Sequence, residues 1–149
     1  MAGPRRPGDV AGVVTFPDGR SVRARGLRRD PAPDPAPTFG VYLLGAPPDI
    51  AWDHRWVRCP DFRTPTSDAE AVDALREAYE RCAVEVVEVA CGGGIGRTGC
   101  GLAVMARFAG IPADDAVAWV RAHHHRRAVE TPWQRRWVRQ VALGSAAPM

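Results

Sequence analysis

Hydrophobic and polar positions along this chain switch between a strand-like and a helix-like spacing. Near the start, "VVTF" and "RSVRARGL" flank Pro17-Asp18-Gly19, and an Asp-Gly pair between two short runs predicts a β-hairpin. Arg28–Pro37, "RRDPAPDPAP", alternates proline with small residues and predicts an extended loop. Phe39–Leu44 is a continuous apolar strand candidate ended by Gly45 and Pro47-Pro48, and Arg55–Cys59 is a shorter one before the loop "PDFRTPT". Ser67 and Glu70 have the spacing of a capping box. The helix they open, through about Cys82, lines up Ala71, Leu75, Ala78 and Cys82 on one apolar stripe. Ala83–Ala90, "AVEVVEVA", is apolar on both faces, as expected for an inner strand of a sheet covered by helices. Gly99–Gly110 is almost wholly apolar and predicts a buried helix stopped by Gly110. Two further helices are predicted, from Pro112 to about His124 and over roughly Pro132–Leu143. No internal repeat is present. The order of elements predicts an α/β fold with a small central sheet of about four or five strands flanked by helices on both faces.

Length adds that this is one domain: 149 residues support a single core. It is expected over residues 13–145, with a flexible Pro-, Gly- and Arg-rich segment at residues 1–12. A 46% apolar and 25% charged composition is that of an ordinary globular chain. Every basic residue is arginine, which reflects codon usage in a GC-rich genome before it reflects function. The net charge of +3 is small, but residues 1–29 carry seven Arg against Asp9 and Asp18. That uneven distribution suits an anionic substrate and suits a plain solvated surface equally; no nucleic-acid partner is expected. The four cysteines show no C-x-x-C spacing, which argues against a zinc ribbon or a thioredoxin-type motif. The N-terminus lacks a signal-peptide core and no apolar run approaches the ~18 residues of a membrane span. A cytoplasmic protein with reduced thiols is expected.

One stretch carries chemistry. "VEVACGGGIGRTG", Val87–Gly99, runs from a strand through a glycine-rich turn into a helix start, a form used by three kinds of phosphate site. A nucleoside-triphosphate loop needs G-x-x-x-x-G-K-[ST], and Cys91 and Arg97 stand where its first glycine and lysine belong. Gly94-Ile95-Gly96-Arg97-Thr98-Gly99 fits the dinucleotide fingerprint G-x-G-x-x-G. However, no second strand ending in an acidic residue follows it, so a dinucleotide-binding module is only a weak alternative. The third form uses the remaining residues. A thiol at Cys91 faces the N–H groups of the turn and the next helix N-terminus, and these, with the Arg97 charge, favour a thiolate. The same N–H groups of Gly92, Gly93, Gly94, Ile95 and Gly96 can curl around phosphate oxygens, while Arg97 offers a planar two-pronged donor.

This C-x5-R-[ST] arrangement, "ACGGGIGRTG", resembles the signature of the cysteine-dependent protein tyrosine phosphatase superfamily, in particular its compact, bacterial, dual-specificity-like members. The resemblance covers roughly Trp56 to Val141 and implies a tyrosine-phosphatase-like fold. It implies hydrolysis of phosphomonoesters through a cysteinyl-phosphate on Cys91, with Arg97 and the loop amides binding phosphate and Thr98 donating to the sulfur. It implies no metal and no cofactor. "CPDF", Cys59–Phe62, resembles the family's W-P-D-F loop, which makes Asp61 the general acid and puts Cys59 in place of the usual Trp; Asp53 is the fallback acid. "ETPWQ" resembles the Q-T-x-x-Q segment that orients the hydrolytic water, with Gln134 matching and Glu130 replacing the first Gln. Capping of a helix by Thr131 accounts for the same residues. Ala90 stands where a His usually precedes the nucleophile. Cys59, beside the acid loop, is a candidate for a regulatory disulfide with Cys91. His123–His125 project about 100° apart on a helix and do not converge on one metal ion, so a solvated helix end is expected there. A phosphorylated protein or other phosphoester is the implied partner. The alternative within the same site is a pseudophosphatase that binds phosphorylated partners without turnover.

Overall fold

The computed structural model describes residues 12–144, so the expectation of a flexible segment at residues 1–12 falls, except for Gly12, outside the described residues. The Asp-Gly hairpin forms: β1 (Val13–Thr15) pairs antiparallel with β2 (Ser21–Gly26) around Gly19, whose φ is 91°. Asp18 closes the turn by accepting from the Arg20 backbone N–H at 3.0 Å. β3 (Phe39–Leu44), β4 (His54–Arg58) and β5 (Val87–Cys91) complete a five-stranded sheet of order β1-β2-β5-β3-β4. All pairings except β1 with β2 are parallel. A parallel partner cannot be reached by a tight turn, and α1 (Asp68–Arg81) supplies the crossover from edge strand β4 back to central β5. β5 therefore ends, at Cys91, between β2 and β3 in the middle of the sheet.

β5 starts later than its apolar run predicts. Ala83–Glu85 finish the turn after α1, with Val84 and Glu85 donating to the Arg81 carbonyl, and Val84 is 88% exposed. Of the capping box expected at α1, the Ser67 half forms, its hydroxyl accepting from the Glu70 N–H at 3.2 Å, while no return bond from the Glu70 side chain is made among the described residues. α2 (Gly96–Phe108) begins three residues before its expected start and takes Arg97 and Thr98 into its first turn. Its residues Gly96–Ala106 are all buried. The segment after Pro112 is a 3-10 turn at Ala113–Asp115 followed by α3 (Ala116–His123), and α4 spans Pro132–Gln140. Among the described residues, the helices gather on one side of the sheet rather than on both. α1 and α2 pack on the face of Leu43 and Val89, where Leu75 approaches Gly101, and α3 and α4 pack onto α2. The other face is closed by polar groups instead: Glu88, fully buried on β5, accepts from Arg25 at 2.5 and 3.0 Å and from the Tyr42 hydroxyl at 2.7 Å. A carboxylate survives there because each oxygen is paired.

Candidate active site

Cys91 is the last residue of β5, and α2 begins five residues later, so Gly92–Ile95 form the turn joining the middle of the sheet to a helix N-terminus. The Cys91 thiol is buried at the floor of that turn and accepts from the Gly94 N–H at 3.2 Å. Gly94 has φ 76°, and a Cβ there would lie 2.5 Å from the Gly26 nitrogen, so both backbone angle and space require glycine. The start of the turn is an extension of the β2–β5 pairing, with Leu27 N–H donating to Cys91 O at 2.9 Å and Arg28 N–H to Gly92 O at 3.0 Å. Thr98 does not make the expected bond to sulfur: its hydroxyl is fully buried and has no hydrogen-bond partner among the described residues.

Arg97 is 6% exposed and donates through Nη1 to the Cys59 carbonyl at 3.0 Å. Its Nε lies 3.5 Å from Asp61 Oδ1 but has no hydrogen-bond partner among the described residues. A buried guanidinium N–H without an acceptor is costly in a dry interior, and an oxyanion in the turn supplies what it lacks. Asp61, half exposed, thus faces Arg97 across the mouth of the turn. Asp53, the fallback acid, is spent elsewhere, in an ion pair with Arg81 at 2.8 Å.

The segment carrying Asp61 is tied to α4. Trp133 Nε1 donates to the Phe62 carbonyl at 2.6 Å and Gln134 Nε2 to the Arg63 carbonyl at 3.0 Å. Phe62 itself takes φ 61°, a strained value for a bulky residue. Gln134 is fully buried, and its Oε1 accepts from the N–H groups of Glu130 and Thr131 at 2.9 and 3.0 Å. Thr131 returns a bond to the Gln134 N–H at 3.2 Å, completing a capping box with Pro132 in the first turn. Capping and site-building therefore use the same side chain. Glu130 reaches back to the helix N-terminus: its Oε1 fills the space a Cβ on Gly96 would take. Phe62, Glu130 and Thr131, with Arg121, Arg126 and Arg127, line an open cleft of about 440 Å³ beside the turn.

Two residues in contact with the turn were not expected from the sequence. Arg28 lies with its Cζ 2.9 Å from where a Gly92 Cβ would be, so the absence of a side chain at Gly92 admits a guanidinium. His124, expected in a solvated helix end, is half-buried, and its Nε2 lies 2.9 Å from the Gly94 carbonyl oxygen. Burial is the main influence on this imidazole and pushes its pKa down. Its neighbours turn elsewhere: His123 stacks on Trp119 and bonds its carbonyl, and His125 Nδ1 accepts from the Arg127 N–H. No group of three or more possible metal ligands occurs among the described residues, and no helix there is long and apolar enough to cross a membrane. The four cysteines are unpaired and buried. Burial pushes the Cys59 thiol up to about 12, against the opposing pull of Arg97.

No protein-family model and no curated relative matches the sequence. Solved structures do resemble it. Tk-PTP, solved in an active form, superposes with a TM-score of 0.66 at 23% identity, covering 88% of this chain and 96% of its own. A glycine-to-alanine mutant form of Tk-PTP gives the same TM-score over 86% of this chain and 93% of its own. Kinase associated phosphatase, with its catalytic-site cysteine replaced by serine, superposes at 0.56 and 14% identity, over 68% of this chain and 66% of its own. The fold is that of the cysteine-based protein tyrosine phosphatases.

Proposed function

We propose that this protein is a phosphomonoester hydrolase that works through a cysteinyl-phosphate. The observation that carries this reading is the triangle at the end of β5. The Cys91 sulfur receives the Gly94 N–H, and buried Arg97 has an Nε without an acceptor. Asp61 stands 3.5 Å from that nitrogen. Phosphate oxygens held by Arg97 and the N–H groups of Gly92–Gly96 place phosphorus over the sulfur. In the first step an S–P bond forms, the P–O ester bond breaks, and Asp61 gives its proton to the departing oxygen. In the second, water attacks phosphorus, Asp61 takes a proton from it, the S–P bond breaks and inorganic phosphate leaves. Glu130, whose Oε1 lies against Gly96, is the acceptor assigned to orienting that water. Gln134 serves the site by holding both the Asp61 segment and the Glu130 backbone, since its amide is already spent on them. Thr98, buried and unpartnered, is the hydroxyl available to the sulfur when the thiolate leaves phosphorus.

Phosphorylated protein side chains are the proposed substrates, by likeness to a tyrosine phosphatase and a kinase associated phosphatase. A cytoplasmic location, where thiols stay reduced, fits a working Cys91. The test is hydrolysis of an aryl phosphate by the purified protein, abolished in Cys91→Ser and inhibited by vanadate. A wild-type protein that binds vanadate but turns nothing over between about pH 5 and 7 is instead a phosphate-binding pseudophosphatase. One that binds a dinucleotide and no vanadate overturns the phosphate-ester reading altogether.

A further inference from the structure

We propose that His124 is a positioning residue for the nucleophile turn: its imidazole holds the Gly94 carbonyl outward, which turns the Ile95 N–H of the same peptide inward and fixes Gly94, whose own N–H bonds the Cys91 sulfur. The inference rests on the reading of this turn as an oxyanion site.

A turn with glycine at 92, 93, 94 and 96 has little intrinsic shape. Each glycine loses more backbone freedom on ordering than any other residue, and either face of each peptide can turn inward. Which face does so decides the chemistry. N–H groups directed inward attract an anion and favour a thiolate, whereas a carbonyl directed inward repels both. Gly94 is where the choice matters most: its N–H, on the peptide shared with Gly93, bonds Cys91 at 3.2 Å, and its carbonyl, on the peptide shared with Ile95, decides which way the Ile95 N–H turns. One side of Gly94 is fixed by the β2 end, where the Gly26 nitrogen and the Arg25 carbonyl carbon leave no room for a side chain. The other tie is His124, whose Nε2 lies 2.9 Å from Gly94 O. A carbonyl only accepts, so this nitrogen carries a proton, and the ring donates whether neutral or charged.

The donor is itself well fixed. His124 follows α3 directly, and its own N–H bonds the Val120 carbonyl at 2.8 Å. The next turn is braced by Arg121, which donates to the Ala128 and Val129 carbonyls, both at 2.9 Å. The residue preceding the nucleophile, Ala90, has no polar side chain to share the task. Of the three consecutive histidines, only the middle one reaches the turn.

The experiment reads the turn without requiring turnover. Alkylation of Cys91 by iodoacetate, an anion, is compared with alkylation by neutral iodoacetamide, and vanadate affinity is measured beside it. His124→Phe keeps a ring and removes the donor. His124→Asn is polar, but its amide stops short of Gly94. His124→Gln puts an amide N–H near the Nε2 position. Loss of one such bond is expected to lower the iodoacetate-to-iodoacetamide rate ratio and the vanadate affinity by about three- to tenfold in the Phe and Asn variants. The Gln variant should recover most of both. Thermal unfolding of each variant shows whether the fold is intact, and the Asn and Gln variants carry the comparison if Phe does not fold. A wild-type ratio in the Phe and Asn variants overturns the proposal, as does a Gln variant as impaired as they are. If the wild-type protein hydrolyses no phosphoester but the ratio still depends on His124, the hydrolase reading fails and this one stands.

Discussion

Trp133→Phe should slow the chemistry of this site while leaving its anion affinity intact. The Asp61 segment has little of its own to hold it: Phe62 is 52% exposed, Asp61 and Arg63 are exposed, and only Pro65 is buried. Its position depends on a few polar ties, of which the 2.6 Å bond from Trp133 Nε1 to the Phe62 carbonyl is the one a ring-for-ring exchange removes. A net hydrogen bond contributes about 0.5–1.5 kcal/mol, so its loss lowers the ratio of engaged to disengaged loop by about 2- to 12-fold. Only steps that use Asp61 feel this. A phosphotyrosine peptide, whose phenol leaves reluctantly, should lose kcat by about that factor. p-Nitrophenyl phosphate, whose leaving group needs less protonation, should lose less at the cysteinyl-phosphate-forming step. That step is read from the burst phase in stopped-flow absorbance. Vanadate affinity should be unchanged, since Arg97 and the turn are untouched. Equal losses on both substrates, or a weakened vanadate complex, would refute the assignment of Trp133 to the acid loop.

Other outcomes follow from the same geometry. Glu130→Gln removes a carboxylate next to the α2 N-terminus. For a carboxylate and a dianion roughly 6 Å apart in a water-like dielectric the repulsion is about 1.4 kcal/mol. Inorganic phosphate should therefore inhibit the variant at about tenfold lower concentration, and inhibition at higher concentration contradicts the placement. Arg28→Ala removes an exposed guanidinium from beside Gly92, with an expected two- to fivefold rise in KM, by about 0.3–1 kcal/mol. That rise should shrink as salt is added; a rise that persists at high salt means that the loss is one of packing. Burial pushes Cys59 up to about 12 and Cys82 up to about 11, so both remain neutral thiols near pH 7. Mass spectrometry after brief iodoacetamide treatment at that pH should find the label on Cys91 and not on these two. The same shifts act on stability. A thiol whose folded pKa is raised binds its proton more tightly in the native state, so its contribution is complete below the unfolded value, about 8.5. It is lost as pH rises through the folded value, and urea unfolding midpoints should fall between about pH 9 and 12 for this reason. Midpoints rising over that window would contradict the burial of these thiols.

What the sequence disclosed and what it hid divide along a physical line. The sheet and helices were legible because each carries its own period: Phe39–Leu44 as an apolar run, Ala71, Leu75 and Ala78 as a stripe, Pro17-Asp18-Gly19 as a turn. The candidate nucleophile turn was legible because its chemistry needs a fixed spacing, so Cys91 and Arg97 stand in one short segment of β5, turn and α2. The remaining contacts join segments far apart in sequence, and no local period announces them. Glu88 read as a polar interruption of a strand, and only the pairing of β5 with β2 and β3 brings Arg25 and Tyr42 to it. Helices were expected on both faces because β5 is apolar on both; that polar network takes the place of the missing layer. Arg28 looked like one of many arginines until the β2–β5 extension set it over Gly92. His124 sat in a triplet whose spacing rightly argued against a shared metal ion, but spacing on one helix says nothing about a partner 30 residues away. The glycines were the one clue available. A turn with glycine at four of the five positions between Cys91 and Arg97 cannot hold a single shape alone. Its glycines therefore imply supports from elsewhere in the chain, which here are the β2 end, Arg28 and His124.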